Sequence, residues 1–221
     1  MPNPSNATFE QLRPTQVTLG LEHMRTKMAA TRAVPPHHAQ SFMDDKPLKV
    51  VRAPDDALYI IDHHHWARAW YELGFQQVPI AIAEDFGSLD HTGFVAAMRE
   101  RNWFHPVDEH GRNVDIEAIP ESIADLHDDP YHSIAAFVRD AGIFENPGEY
   151  NATFEWADFF RARLSGDFAS IAGFAAVLAD AICLAHAPEA QALPGYIGVG
   201  QRDAHKTGSA KRSEPDGARQ G

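Results

Sequence analysis

The sequence predicts an α+β protein: a mixed strand-and-helix module over residues 11–85, followed by a helical subdomain over 86–200. Three observations predict it. Two β-rich runs, Leu48–Arg52 (LKVVR) and Ala57–Ile61 (ALYII), flank the turn-forming Ala-Pro-Asp-Asp. The texture changes near residue 85, after which apolar residues recur at helical spacing. The chain is 221 residues long and 44% hydrophobic, enough for one full domain with a helical extension.

The elements follow in order. Residues 1–10 read as a loose leader. Gln16–Leu19 (QVTL) reads as a short strand ending at Gly20, and Leu21–Thr31 as a helix. Pro35-Pro36 breaks the chain, and His37–Met43 can re-form a helix with Pro36 near its first turn. The LKVVR and ALYII strands come next, with Asp62 at the end of the second. His64–Leu73 (HHWARAWYEL) reads as a helix closed by Gly74, with Trp66, Trp70 and Phe75 packing it on the sheet. Val78–Ala83 (VPIAIA) is a further strand, where Pro79 suggests an edge or a strand start.

In the second part, helices are expected at Thr92–Arg101, His132–Ala141, Thr153–Leu164 and Phe168–His186. Asp129 is the expected cap of the second, with Pro130 at its first position, and Thr153 the expected cap of the third. Phe168–Ala187 is the most apolar stretch, but Asp180 interrupts it. A buried core helix is the better reading than a membrane span, and Cys183 within it should be buried and inert. Residues 201–221 read as a disordered tail with no apolar side chain larger than Ala.

Charge and cysteine content narrow the function classes. Asp and Glu number 31 against 19 Lys and Arg, and the tail holds five of the basic residues but only three of the acidic ones. So acidic a body argues against a duplex DNA partner, because phosphate backbones are bound by basic faces. A single cysteine excludes an internal disulfide framework and a Cys-rich zinc site. No basic, apolar secretory leader opens the chain, which points to a cytoplasmic protein without a membrane partner.

The densest chemical signal is Ile60-Ile61-Asp62-His63-His64-His65-Trp66. An apolar strand runs out and a polar cluster sits where a helix begins, with helix N–H groups that lack intrahelical partners and favour an anion. Asp62 is of a good capping type. Imidazoles here can donate to phosphate when protonated, or act as acid or base near neutral pH. Three readings are open: a phosphate or nucleotide site; a metal site, with His37, His38, Asp44 and Asp45 as further ligands; and a structural turn, with Asp62 capping and one histidine packed inside.

The spaced pattern of Leu12-Arg13-Pro14-Thr15-Gln16, Asp62-His63-His64-His65, Ala67, Ala69, Leu73-Gly74 and Val78-Pro79-Ile80 resembles the ParB/sulfiredoxin superfamily. Within it the chain is most similar to the proteins called putative ParB-like nucleases. Asp128-Asp129-Pro130-Tyr131, Trp156-Ala157-Asp158-Phe159 and Leu193-Pro194-Gly195-Tyr196 extend the likeness to about residues 11–200. The resemblance implies a ParB-like module whose turn carries the phosphates of a nucleotide or another small phosphate-bearing molecule. Hydrolysis or phosphoryl transfer would follow, with Mg²⁺ accompanying a nucleotide; a non-catalytic binding protein is the alternative.

Carried onto this chain, Asp62, His64 and His65 are the candidate catalytic residues. His63, Lys27 and Arg68 are candidates for phosphate, and Thr15 and Gln16 for substrate. Two departures stand out: His63 replaces the usual Gly, and Trp66 replaces an Arg. Sulfiredoxin chemistry requires a cysteine at the turn and is excluded on residue type.

Overall fold

A computed structural model describes residues 5–145, 148 and 151–198. Residues 1–4 of the expected leader and the whole expected tail lie outside them. The leader is otherwise structured: Ser5–Thr8 forms strand β1, and Phe9–Gln11 a turn of 3₁₀ helix.

The central sheet has five strands. β1 pairs antiparallel with β6 (Gln77–Asp85), which pairs parallel with β4 (Leu48–Arg52). β4 then pairs antiparallel with β5 (Leu58–Asp62), and β5 parallel with the short β2 (Leu12–Arg13). β6 is therefore not an edge where Pro79 sits, because β1 covers it there, Asn6 facing Pro79. The expected QVTL strand is shorter than its sequence suggests. Only Thr18–Leu19 (β3) is extended, and it pairs in parallel with β7 (His127–Asp128), while Gln16 makes an isolated bridge to His105.

The strands alternate as their period of two requires. Val50 and Ile60 face one core, together with Leu12, Leu48, Ile80 and Trp70; Val51 and Ile61 face another. Helices α1 (Leu21–Arg32) and α3 (His64–Glu72) cover the first face. Pro36–His38 is a 3₁₀ turn leading into the short α2 (Ala39–Asp44). The second face is closed by α4 (His91–Glu100), whose Phe94 and Met98 pack on Val51, Ile61 and Phe86. Thus the first helix after residue 85 belongs, by packing, to the sheet.

The remaining helices are α5 (Pro130–Asp140), α6 (Ala152–Arg161) and α7 (Ile171–Leu184), which share a core built on Ile134, Val138, Trp156, Phe160 and Val177. Asp129 caps α5, its carboxylate accepting from the Tyr131 N–H at 3.0 Å, with Pro130 at the first position as expected. Thr153 does not cap α6: Asn151 holds that place, and Thr153 Oγ1 instead accepts from Arg139. α7 departs furthest from expectation. Only Val177 and Ala181 are buried, Ile171 is 92% exposed, and Cys183 is exposed rather than enclosed. No helix among the described residues is long and apolar enough to cross a membrane.

The two helical layers meet at Gly20. A Cβ there would lie 2.5 Å from Ser133 Oγ and 2.6 Å from the Ser133 backbone nitrogen, so glycine permits the close approach of α1 and α5.

Candidate functional site

The site begins where β5 ends. The β4–β5 register places Lys49 opposite Asp62, and their side chains pair, Nζ to Oδ2, at 3.0 Å. The other Asp62 oxygen accepts from the His63 N–H at 2.7 Å. Burial pushes the Asp62 carboxyl up, but His63 and Lys49 outweigh it and hold it below the usual carboxylate range. Asp62 is therefore not the cap of α3. That place falls to His63, whose side chain makes no capping bond.

His63 has φ 73° and ψ 24°, the left-handed conformation that glycine adopts without cost. The Gly-to-His departure noted in the sequence therefore changes the side chain and leaves the backbone shape of the turn. His63 Nδ1 lies 2.9 Å from the Pro47 carbonyl, a bond that holds the turn in this conformation.

His64 is buried and tied to the N-terminal segment. Its Nε2 accepts from the Thr15 N–H at 3.3 Å, which leaves the ring proton on Nδ1. Thr15 Oγ1 donates to the Ile60 carbonyl at 2.7 Å, and the Thr15 carbonyl accepts from the His105 N–H at 2.8 Å. Thr15 thus links β5, α3 and the segment after α4. Gln16 is also buried, and its Nε2 donates to the Thr18 carbonyl at 2.6 Å. Of the two residues expected to touch substrate, Gln16 lines the adjoining cavity and Thr15 positions His64 behind it.

The cavity measures about 320 Å³ and is lined by Asp62–His65 and Gln16, with Lys49, Arg139, His132, Trp103 and Phe154 opposite or beside them. His65 Nε2 and His132 Nδ1 are both enclosed, and no hydrogen-bond partner meets them among the described residues. Their rings meet edge to face, with centroids 4.9 Å apart. His132 also touches Phe154, on which His105 stacks at 3.5 Å. Burial keeps these imidazoles neutral: it pushes His64 down to about 3, and His105, also opposed by Arg161, down to about 4. His65 and His132 are held well below the ordinary histidine range by burial and by neighbouring imidazoles. The imidazolium forms of His64, His65 and His132 are thus disfavoured, and the fixed cations among the described lining residues are Lys49 and Arg139.

Two expected phosphate ligands stand elsewhere. The Arg68 guanidinium donates to Glu72 at 2.8 Å and to the Ile123 carbonyl at 3.0 Å, away from the cavity. Lys27 is not part of the cavity lining. Its ammonium lies 3.6 Å from Asp140 and over the Trp66 ring at 5.5 Å. Trp66, at the position where the superfamily carries Arg, therefore packs beneath a lysine. For the metal reading, no three His, Cys, Asp or Glu among the described residues are placed to share an ion, so His37, His38, Asp44 and Asp45 do not complete a set with the turn.

The residues that sequence reasoning missed come from distant positions: Lys49, Trp103, His105, His132, Arg139 and Phe154. His132 lies directly after the Asp-Asp-Pro-Tyr motif, which carried a partial signal. The others have none, because long-range packing alone brings them in.

Similarity to known proteins shows the family and the fold. The profile of the family described as "Putative ParB-like nuclease" matches residues 5–162. The chain belongs to that family. Among solved structures, protein Atu1540 from Agrobacterium tumefaciens is 34% identical, covering 90% of this chain and 100% of its own, with a TM-score of 0.78. The C-terminally truncated chromosome-partitioning protein ParB from Caulobacter crescentus, complexed to the centromeric parS site, is 13% identical over 81% of this chain and 96% of its own. Its TM-score is 0.29, and nothing below rests on it. A comparison with curated proteins gives no match. In this ParB-like nuclease family member the strand–turn–helix at Asp62–His65 is surrounded by further imidazoles from α1, α5 and the segment after α4.

Proposed function

We propose that the cavity at the Asp62–His65 turn binds a small phosphate-bearing molecule, with nucleotides inside that class, and catalyses its hydrolysis or phosphoryl transfer. One observation carries the reading: the start of α3 opens on a cavity lined also by the Lys49 and Arg139 cations and by the His65 and His132 rings. Backbone N–H groups at a helix start together with fixed cations suit an anion. His65, in the cavity wall beside the turn, is our candidate for proton transfer to or from the reacting group. Asp62 holds Lys49 and the turn in place, and His64, anchored by Thr15, orients the start of the helix. No three His, Cys, Asp or Glu among the described residues are placed to share an ion. A divalent ion would arrive on the ligand's phosphates.

The test is calorimetric titration with inorganic phosphate, a nucleoside triphosphate and the corresponding nucleoside, followed by phosphate-release assays with and without Mg²⁺. Binding of the two phosphate compounds, weakened about tenfold or more by Lys49→Met or Arg139→Met, is expected; one charged hydrogen bond is worth roughly that factor. Equal binding of the nucleoside, or no effect of either substitution, would refute the site. Tight binding with no release, unchanged in His65→Gln, favours the non-catalytic member of the pair of readings.

A further inference from the structure

The turn's third histidine belongs to a second grouping. His23 of α1, His65 of α3 and His132 of α5 touch in series, with ring centroids 4.7 Å and 4.9 Å apart and both contacts edge to face. Each ring has one nitrogen enclosed and without a partner among the described residues: His23 Nδ1, His65 Nε2 and His132 Nδ1. Unsatisfied buried polar atoms are uncommon, and three in contact demand a reason. The rings join helices from both parts of the chain, since α1 and α3 cover the sheet and α5 belongs to the helical core.

The surroundings combine fixed charges with further neutral imidazoles. From α1, Lys27 faces the cluster; from α3, His64; from α5, Arg139 and Asp140; and beyond His132, His105 with Arg161 of α6. Besides Asp129, which is tied to Arg161 and to the His132 and Tyr131 N–H groups, the carboxylate within reach among the described residues is Asp140, which meets His23 Nε2 at 2.9 Å and is shared with Lys27 and Arg139. One carboxylate can compensate one imidazolium, and it already serves two fixed cations. Three imidazoliums in mutual contact would repel one another in a medium of low dielectric.

We propose that His23, His65 and His132 form an acid-sensitive latch: neutral, they close α5 onto α1 and α3; protonated, they part these helices. Opening lets water reach the three enclosed nitrogens, so the open form takes up the protons that the closed form refuses. Below the ordinary histidine range near ~6.5 the balance moves toward the open form, and three linked sites make the change steep, about three protons over the transition. Because His65 and His132 also line the cavity, opening removes part of its wall. The latch does not depend on what the cavity binds.

The experiment is hydrogen exchange followed by mass spectrometry on the full chain between pH 7.5 and 4.5, corrected for intrinsic exchange, with far-ultraviolet circular dichroism alongside. The expected result is a steep loss of protection in α1, α3 and α5, while β4–β6 stay protected and helical content is kept. In His65→Gln/His132→Gln, where neither side chain titrates, the midpoint should fall by about half a pH unit or more and the transition should become shallower. An unchanged midpoint and steepness would overturn the latch, as would simultaneous loss of protection across the sheet. Should that variant fail to fold at pH 7.5, imidazole NMR on the wild-type chain decides the matter. Rings that titrate together with the exchange transition support the latch, and independent titration near 6.5 refutes it.

Discussion

Helices α3 and α7 reverse the order of burial that their compositions imply. α3 reads HHWARAWYE and carries four ionisable types; it buries His64, Ala67, Ala69 and Trp70. α7 reads IAGFAAVLADAICL, with one charge, and buries only Val177 and Ala181. The difference lies in neighbours. α3 is enclosed by the sheet, α1 and the 3₁₀ turn at Ile123–Asp125, so even a histidine on its inner face is surrounded. Among the described residues α7 packs on one side only, and its alanines need no cover to be tolerated in a helix. Apolar composition permits burial; whether burial occurs depends on what lies opposite.

The largest effect that tests this contrast is at Trp70, which is fully buried and donates through Nε1 to Thr31 Oγ1 at 3.2 Å. Trp70→Ala should cost about 3–5 kcal/mol in urea unfolding, as cavity-forming aromatic deletions do. A loss under about 1 kcal/mol would mean that α3 is not the packed element described.

Acid comes next. His64 is held down to about 3 in the folded chain by burial, against an unfolded value of 6.5. Above 6.5 both states are neutral and no stability depends on this ring. As pH falls below 6.5 the unfolded chain takes the proton and the folded one does not. The folded state therefore loses about 1.4 kcal/mol per pH unit from this group, on the order of 2 kcal/mol at pH 5. Stability measured against pH should lose that increment of slope in His64→Gln, and an identical slope in both proteins would show the ring to be accessible.

A smaller cost is expected where the two helical layers touch. Gly20→Ala would press a methyl group against the Ser133 backbone, an overpacking worth about 1–3 kcal/mol. A loss under about 0.5 kcal/mol in urea unfolding would show that α1 and α5 do not approach this closely. The smallest effect belongs to α7. Ile171→Ser should change stability by no more than about 0.5 kcal/mol, because the side chain is 92% exposed. Cys183 should react with a thiol reagent in the native protein at close to the rate in the unfolded chain. Protection of that thiol would restore α7 to the core.

Much of the fold was legible. The strands at Leu48–Arg52 and Leu58–Asp62 announce themselves through β-branched alternation and the Ala-Pro-Asp-Asp turn, and Gly74 marks the end of α3 with φ 80°. Asp129 and Pro130 mark the start of α5 in the same local way. The turn at Asp62–His65 was visible as a strand running into a polar cluster. What escaped is of another kind. Asp62 was read as a cap because its type suits one, yet the Lys49 ammonium across the β4–β5 register competes for it. Arg68 lies two residues past Trp66, on another side of the helix, and the partner that holds it there, the Ile123 carbonyl, is 55 positions away and has no local signal.

By itself, then, the sequence determined the local elements, the family and the strand–turn–helix on which the cavity is built. These depend on residues within a few positions of one another, where propensity, capping and turn chemistry act. Tertiary structure alone decided that His23, His65 and His132 would meet, that Lys49 and Arg139 would supply the cavity's charge, and that α7 would keep an open face. Those outcomes depend on contacts between residues tens of positions apart, and on a low-dielectric interior that holds imidazoles neutral. Burial, unlike helix or strand propensity, is a property of the assembled neighbours.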